Sequence, residues 1–205
     1  MRVLLALLLV VGMVGCLSER EPSKTPGKQA ASPAENAATA TTADSAAVVG
    51  REIFLRGSGK EEIAFRYDHA LVTCDNHTIY KNGAKEIADQ HGKSLTFMAK
   101  FDEREGNSCH IHISLQGTDG SAVFADDNDP LGMSAMFRSF VAGQLATLRE
   151  LTLFYAPNIN SYKRFVDGSF APTAIAWGLD NRTCALRVVG HGQGMRMECR
   201  APGGD

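Results

Sequence analysis

SCHIHISL, residues 108 to 115, reads as a β-strand with two unlike faces. Side chains alternate along a strand. Ser108, His110, His112 and Ser114 therefore share one face, and Cys109, Ile111, Ile113 and Leu115 share the other. The aliphatic face packs inward, and the histidine face looks into a polar cleft. Cys109 points away from the histidines, so a Cys-His-His zinc cluster within this stretch is discounted. A histidine pair is a weak signal by itself, since a partly solvated strand with no special role produces the same pattern.

The alternation recurs in MRMECRA, residues 195 to 201. Arg196, Glu198 and Arg200 fall on one face, and Met195, Met197 and Cys199 on the other. R-x-E-x-R is usually a structural ion-pair ladder. Its functional reading is a metal-binding carboxylate beside two anion-binding arginines. Arg182 and Arg187 in DNRTCALRVV add cationic groups, as does NSYKR at residues 160 to 164. Such a set suits a polyanion held with a divalent metal, and a nucleotide is the natural candidate.

The elements around these strands are mixed. Helical spacing runs from about Ala70 to Gly92, with Ala70, Leu71, Ile79, Ala84 and Ile87 as a half-buried face. KSLTFMAKF (residues 93 to 101) reads as a strand, and Ser134 to Leu153 as a long helix with a stripe of Met136, Phe137, Phe140, Val141, Leu145, Leu148 and Leu151. APNINSYKRFVDGSFAPT, from Ala156, reads as a long loop. AIAWGLDNRTCALRVV and GMRMECRAP read as strands, with GHGQG as a turn region. Strands and separate long helices point to an α+β fold rather than alternating βαβ units.

Composition sets the remaining bounds. Of 205 residues, 44% are apolar and 21% charged, as in globular chains. The net charge of -2 provides no basic field for nucleic acid. MRVLLALLLVVGMVGC has a positive start and a short apolar run, a signal-peptide pattern. Gly15-Cys16 resembles a bacterial lipoprotein cleavage site, with Cys16 as the lipidated residue. Residues 17 to 49 lack aromatic residues and read as a disordered linker. Residues 50 to 60 form a junction of unclear origin, and residues 61 to 205 the globular part. None of the five cysteines forms a CxxC pair, and buried free thiols are expected for those beyond Cys16.

FMAKFDEREGNSCHIHISL, NINSYKRFVDGSFAP, DNRTCALRVV and MRMECRAPGGD, in this order, resemble the catalytic domain of the glutamine synthetase family. The resemblance covers about Glu61 to Asp205 and looks closest to the branch that ligates glutamate to amines or polyamines. It implies a partial glutamine synthetase-type domain, a curved antiparallel sheet with long helices. It also implies an ATP-dependent ligase that uses Mg2+ or Mn2+ and passes through γ-glutamyl phosphate, with glutamate, ATP and an amine or ammonia as partners. The implied metal ligands are Glu62, His110 and Glu198. His112, Ser114, Arg187 and Arg196 would bind ATP, and Arg182 would act as the catalytic arginine at the phosphates. Gly106, Arg164 and Arg200 would bind glutamate. Family members form homo-oligomers.

Departures from the family pattern are equally specific. Phe170 stands where ammonia-using members carry a proton-accepting glutamate, and it offers an apolar or cation–π surface to a larger amine. Phe54 stands where a further metal-ligand glutamate is expected. No counterpart of the family's N-terminal β-grasp domain is visible. The expectation is a lipoprotein leader joined to an internal ligase fragment, with low turnover. The alternative is a non-catalytic, lipid-anchored extracytoplasmic binding module. A cytochrome-like lipoprotein is disfavoured because no CxxCH occurs. Location follows the leader: membrane-anchored through Cys16 if it is genuine, cytoplasmic by family.

Overall fold

The computed structural model describes residues 10–20, 50–56, 60–101, 103 and 106–205, with side chains from Ile63 onward. Residues 1–9, most of the linker and the side chains of Cys16, Phe54 and Glu62 lie outside the described residues. The lipidation and Glu62 metal-ligand expectations therefore fall outside them too. The backbone of Val10–Arg20, read from sequence as leader and linker, runs as a strand.

Among the described residues, eight strands form one sheet. They are β1 (Val10–Arg20), β2 (Gly50–Arg56), β3 (Lys60–Phe65), β4 (Ser94–Thr96), β5 (Cys109–Ser114), β6 (Ala174–Leu179), β7 (Cys184–Val189) and β8 (Arg196–Cys199). The order is β2-β3-β1-β5-β8-β7-β6, with β4 on β1. The pairings are antiparallel except β6 with β7, which is parallel, so the sheet is mixed rather than purely antiparallel.

Four α-helices punctuate the described chain: α1 (Ala70–Gln90), α2 (Ala135–Thr147), α3 (Thr152–Tyr155) and α4 (Ile159–Tyr162). α1 ends before Gly92, which adopts φ +66 as a helix-stopping glycine does. Its inward face differs from the sequence expectation. Thr73 is buried, with Ala70, His77, Tyr80 and Ala84 partly so, while Leu71, Ile79 and Ile87 are exposed. The ring cluster of Phe65, His77, Tyr80 and Phe97 decides this, since aromatic packing outweighs the smaller aliphatic stripe.

The expected long helix divides into α2 and α3. Ser134 caps α2, its hydroxyl accepting from the Phe137 amide at 3.1 Å. Phe137, Val141 and Leu148 are buried against Ile113, Leu186, Val188 and Met197 on the apolar side of the sheet. Phe124 and Phe137 stack with centroids 4.2 Å apart. Met136, grouped with this stripe from sequence, is exposed.

KSLTFMAKF contributes only the short β4, after which Asn107 Nδ2 donates to the Thr96 and Met98 carbonyls and holds the chain in an irregular path. The expected long loop contains α4. Its capping box joins Asn158 and Ser161, and the Ser161 hydroxyl also donates to Asp205. Among the described residues, no helix is long and apolar enough to cross a membrane.

Candidate active site

Strand register assembles the site. His112 of β5 pairs with Glu198 of β8, and Glu198 pairs with Arg187 of β7. The next row, Ile113–Met197–Val188, belongs to the other face and is buried in the core. One register therefore places a polar row above an apolar one, because cross-strand partners share a face.

Glu198 is the hub. Its side chain is 3% exposed. Oε2 accepts from Arg187 Nη1 at 2.8 Å, and Oε1 accepts from Arg200 Nη1. His110 Nδ1 lies 3.2 Å from Oε1, and His112 Nε2 3.9 Å. Arg196 Nε donates to His112 Nδ1 at 3.2 Å. That contact makes Nδ1 the acceptor and leaves the proton on Nε2, facing Glu198. Ser114 is half-buried two residues beyond His112 on the same strand.

Both histidines are held neutral. Burial lowers His110 well below its ordinary range, and Arg200 and Arg164 push it further down. Burial brings His112 to about 4; Glu198 pulls upward, while Arg196, Arg187 and Arg200 pull down.

The substrate-side expectations separate. Gly106 and Arg164 meet: a Cβ on Gly106 would lie 2.5 Å from the Ala99 carbonyl and 2.7 Å from Arg164 Cγ. Only glycine allows that approach. Arg164 sits in the turn after α4 and is buried. Its Nη2 donates to the carbonyls of Arg200, Ala201 and Pro202 at 3.2, 2.6 and 3.0 Å. Its Nε has no partner among the described residues. Burial, with Arg200 nearby, lowers the guanidinium to about 10, so it stays charged at neutral pH.

Arg200 is also turned inward. Nε donates to the Arg182 carbonyl and Nη2 to the Phe170 carbonyl, both at 3.0 Å. Each of its three guanidinium nitrogens is thus bonded to protein, and its five N–H donors leave capacity for a further acceptor. Arg182 is exposed, as is the Phe170 ring. Asn160 does not add to the cationic face, because it brackets Lys100, accepting from its amide at 2.7 Å and donating to its carbonyl at 2.8 Å.

Asp180 is absent from the sequence expectations. Its Oδ1 accepts from Arg187 Nε at 2.9 Å and also from Nη2. Its backbone adopts φ 48, the only non-glycine residue with positive φ among those described. The one sequence signal was turn chemistry, since Asp-Asn between two strands tolerates that conformation.

A divalent metal fits part of this arrangement. Among the described residues no three His, Cys, Asp or Glu side chains form a cage. His110 and Glu198 still make a nitrogen–oxygen donor pair. Such a pair suits a cation whose remaining ligands are substrate oxygens. Glu62 stands two residues before Ala64, which pairs with Val14; Val14 in turn pairs with His110.

Known proteins share this arrangement of sequence. Residues 23–205 match the family model of the glutamine synthetase catalytic domain. A gamma-glutamylethanolamide synthetase of Streptomyces coelicolor is 67% identical over 147 residues, covering 72% of this chain and 31% of that protein. A glutamate–isopropylamine ligase of a Pseudomonas species is 44% identical over 151 residues, covering 73% and 33%. A glutamine synthetase of Clostridium saccharobutylicum is 40% identical over 146 residues, covering 70% and 33%. The solved ligand-free structure of GmaS aligns with a TM-score of 0.63 at 35% identity, covering 72% of this chain and 34% of that one. The chain thus spans 29–33% of the length of the curated relatives it matches.

Proposed function

The chain belongs to the glutamine synthetase family, and from that premise we propose that it carries one wall of an ATP-dependent ligase joining glutamate to an amine. The observation that carries this reading is the row His112–Glu198–Arg187, flanked by His110, Arg196 and Arg200. It sets a neutral nitrogen ligand, a carboxylate and several fixed guanidiniums around one point.

In the proposed reaction ATP phosphorylates the γ-carboxylate of glutamate, and the amine then displaces phosphate. His110 and Glu198 hold the divalent cation, with Glu62 on a second one. When bound, the cation offsets negative charge on the transferring phosphoryl group. His112, Ser114, Arg196 and Arg187 bind ATP, and Arg182 stabilises charge developing at the phosphates. Gly106 leaves room for glutamate, and Arg164 and Arg200 hold its carboxylate.

The acceptor reading rests on Phe170. Its ring is exposed and has no group that accepts a proton, while its backbone carbonyl accepts from Arg200. An apolar ring favours a carbon-bearing amine over ammonium. The two amine-ligating relatives support the same choice.

Isothermal titration with Mg-ATP and glutamate tests the site, and coupled phosphate release tests the acceptor. We expect saturable Mg-ATP binding and faster release with ethanolamine, isopropylamine or putrescine than with ammonium. Ammonium outrunning every amine sinks the acceptor reading. Absence of Mg-ATP binding sinks the site reading.

A further inference from the structure

Glu198 faces an unfavourable charge balance for a cation ligand. Two guanidiniums, Arg187 and Arg200, bond its two oxygens. The adjacent His110 and His112 carry no negative charge in either protonation state and so supply no compensation. One buried carboxylate between two arginines leaves a positive surplus where a cation must approach.

The opposite side of Arg187 answers that surplus. Its Nε and Nη2 both point to Asp180 Oδ1, while its Nη1 points to Glu198. Asp180 occupies the link between β6 and β7, where its amide donates to the Val188 carbonyl at 2.9 Å. Its side chain is 74% exposed, against 16% for Arg187. An ion pair with so exposed a member contributes little to folding. The left-handed backbone at this residue adds cost rather than stability. The pair is thus poorly explained as a stabilising device.

We propose that Asp180 is a positioning residue that orients Arg187 and offsets its charge, so that Glu198 remains open to a divalent cation. This rests on the reading of His110 and Glu198 as cation ligands. The lowered carboxyl of Asp180, caused first by the Arg187 hydrogen bond, keeps it ionised throughout the neutral range.

The proposal makes opposite predictions for two ligands. Asp180→Asn keeps the shape and removes the charge, so Arg187 turns wholly toward Glu198. Mn2+ affinity then falls about fivefold, and tripolyphosphate affinity rises by a similar factor. Asp180→Glu restores the charge and returns Mn2+ affinity toward wild type. A merely structural role would weaken both ligands together.

The experiment is isothermal titration of the full chain with Mn2+ alone and with tripolyphosphate alone, for wild type and both variants, alongside thermal melts. The Arg187 Nε–Hε resonance, assigned by its loss in Arg187→Lys, adds a readout that needs no ligand. It should shift and exchange faster in Asp180→Asn only. With wild-type Mn2+ binding intact, unchanged affinity in Asp180→Asn overturns the role of Asp180. So does an unmoved Arg187 resonance, or joint weakening of both ligands. A wild-type chain that binds no Mn2+ overturns the cation reading itself, and the Asp180 proposal with it.

Discussion

Glu198 and Gly106 show how much a single position carries. Glu198 is buried among partners, so Glu198→Ala leaves Arg200 desolvated without a carboxylate and strips Arg187 of its buried one. Breaking such a group costs about 3–5 kcal/mol, measurable by urea unfolding. Gly106→Ala forces a methyl group against the Ala99 carbonyl and the Arg164 stem. That clash costs about 1–3 kcal/mol in the same assay. His112 sets a pH dependence. Its folded value, about 4, lies below its ordinary 6.5, so the folded state binds fewer protons. The stability it contributes is complete above about 6.5 and is lost as pH falls through about 4. His77, also brought to about 4 by burial and then by Lys81, acts in the same direction. Unfolding curves between pH 7 and 4 should show this decline, and a stability flat across that window would contradict it. His110 and His112 were legible in the sequence as chemistry-bearing residues, because strand alternation is local. Asp180 was not, because its partner Arg187 is brought to it by a turn.

At the level of elements, β8 and α2 hold the site in place. β8 places Glu198 in the polar row while Met197 and Cys199 anchor its back in the core. α2 covers that core with Phe137, so its packing stiffens the strands that carry the polar row. Phe137→Ala should cost about 3–5 kcal/mol. Ser134→Ala, which removes only the cap, should cost about 1 kcal/mol. Thermal melts of the two variants should rank in that order, and the reverse order would show that α2 is held by its cap rather than its core contact. α2 was readable from its apolar stripe. Its end was not. The Leu148 and Leu151 amides bond back to Leu145 and Thr147, and the helix closes before α3. α1 was placed correctly but turned wrongly, since its buried side follows the rings of Phe65 and Phe97.

For the molecule as a whole, thiol chemistry reports global folding. Cys109, Cys184 and Cys199 are buried free thiols, and Cys74 is exposed. Burial pushes Cys109 and Cys199 up to about 11. Of these four cysteines, Cys74 should react promptly with a thiol reagent, and the other three only as the sheet opens. Mass spectrometry of labelled peptides checks this. Early labelling at Cys199 would mean that β8 opens ahead of the core. The same long-range packing explains why the four ordered motifs, scattered along the chain from Phe97 to Asp205, become one site.

The sequence alone determined the polar and apolar faces of β5 and β8, and its four ordered motifs carried the family resemblance. The faces follow from alternation and residue chemistry, which need no knowledge of neighbours. Tertiary structure decided which rows face each other, and so made Glu198 the hub. It also turned Arg164 and Arg200 inward to backbone carbonyls and supplied Arg187 with Asp180. These are contacts between distant segments or across turns, set by strand register and burial, and local pattern carries no record of them.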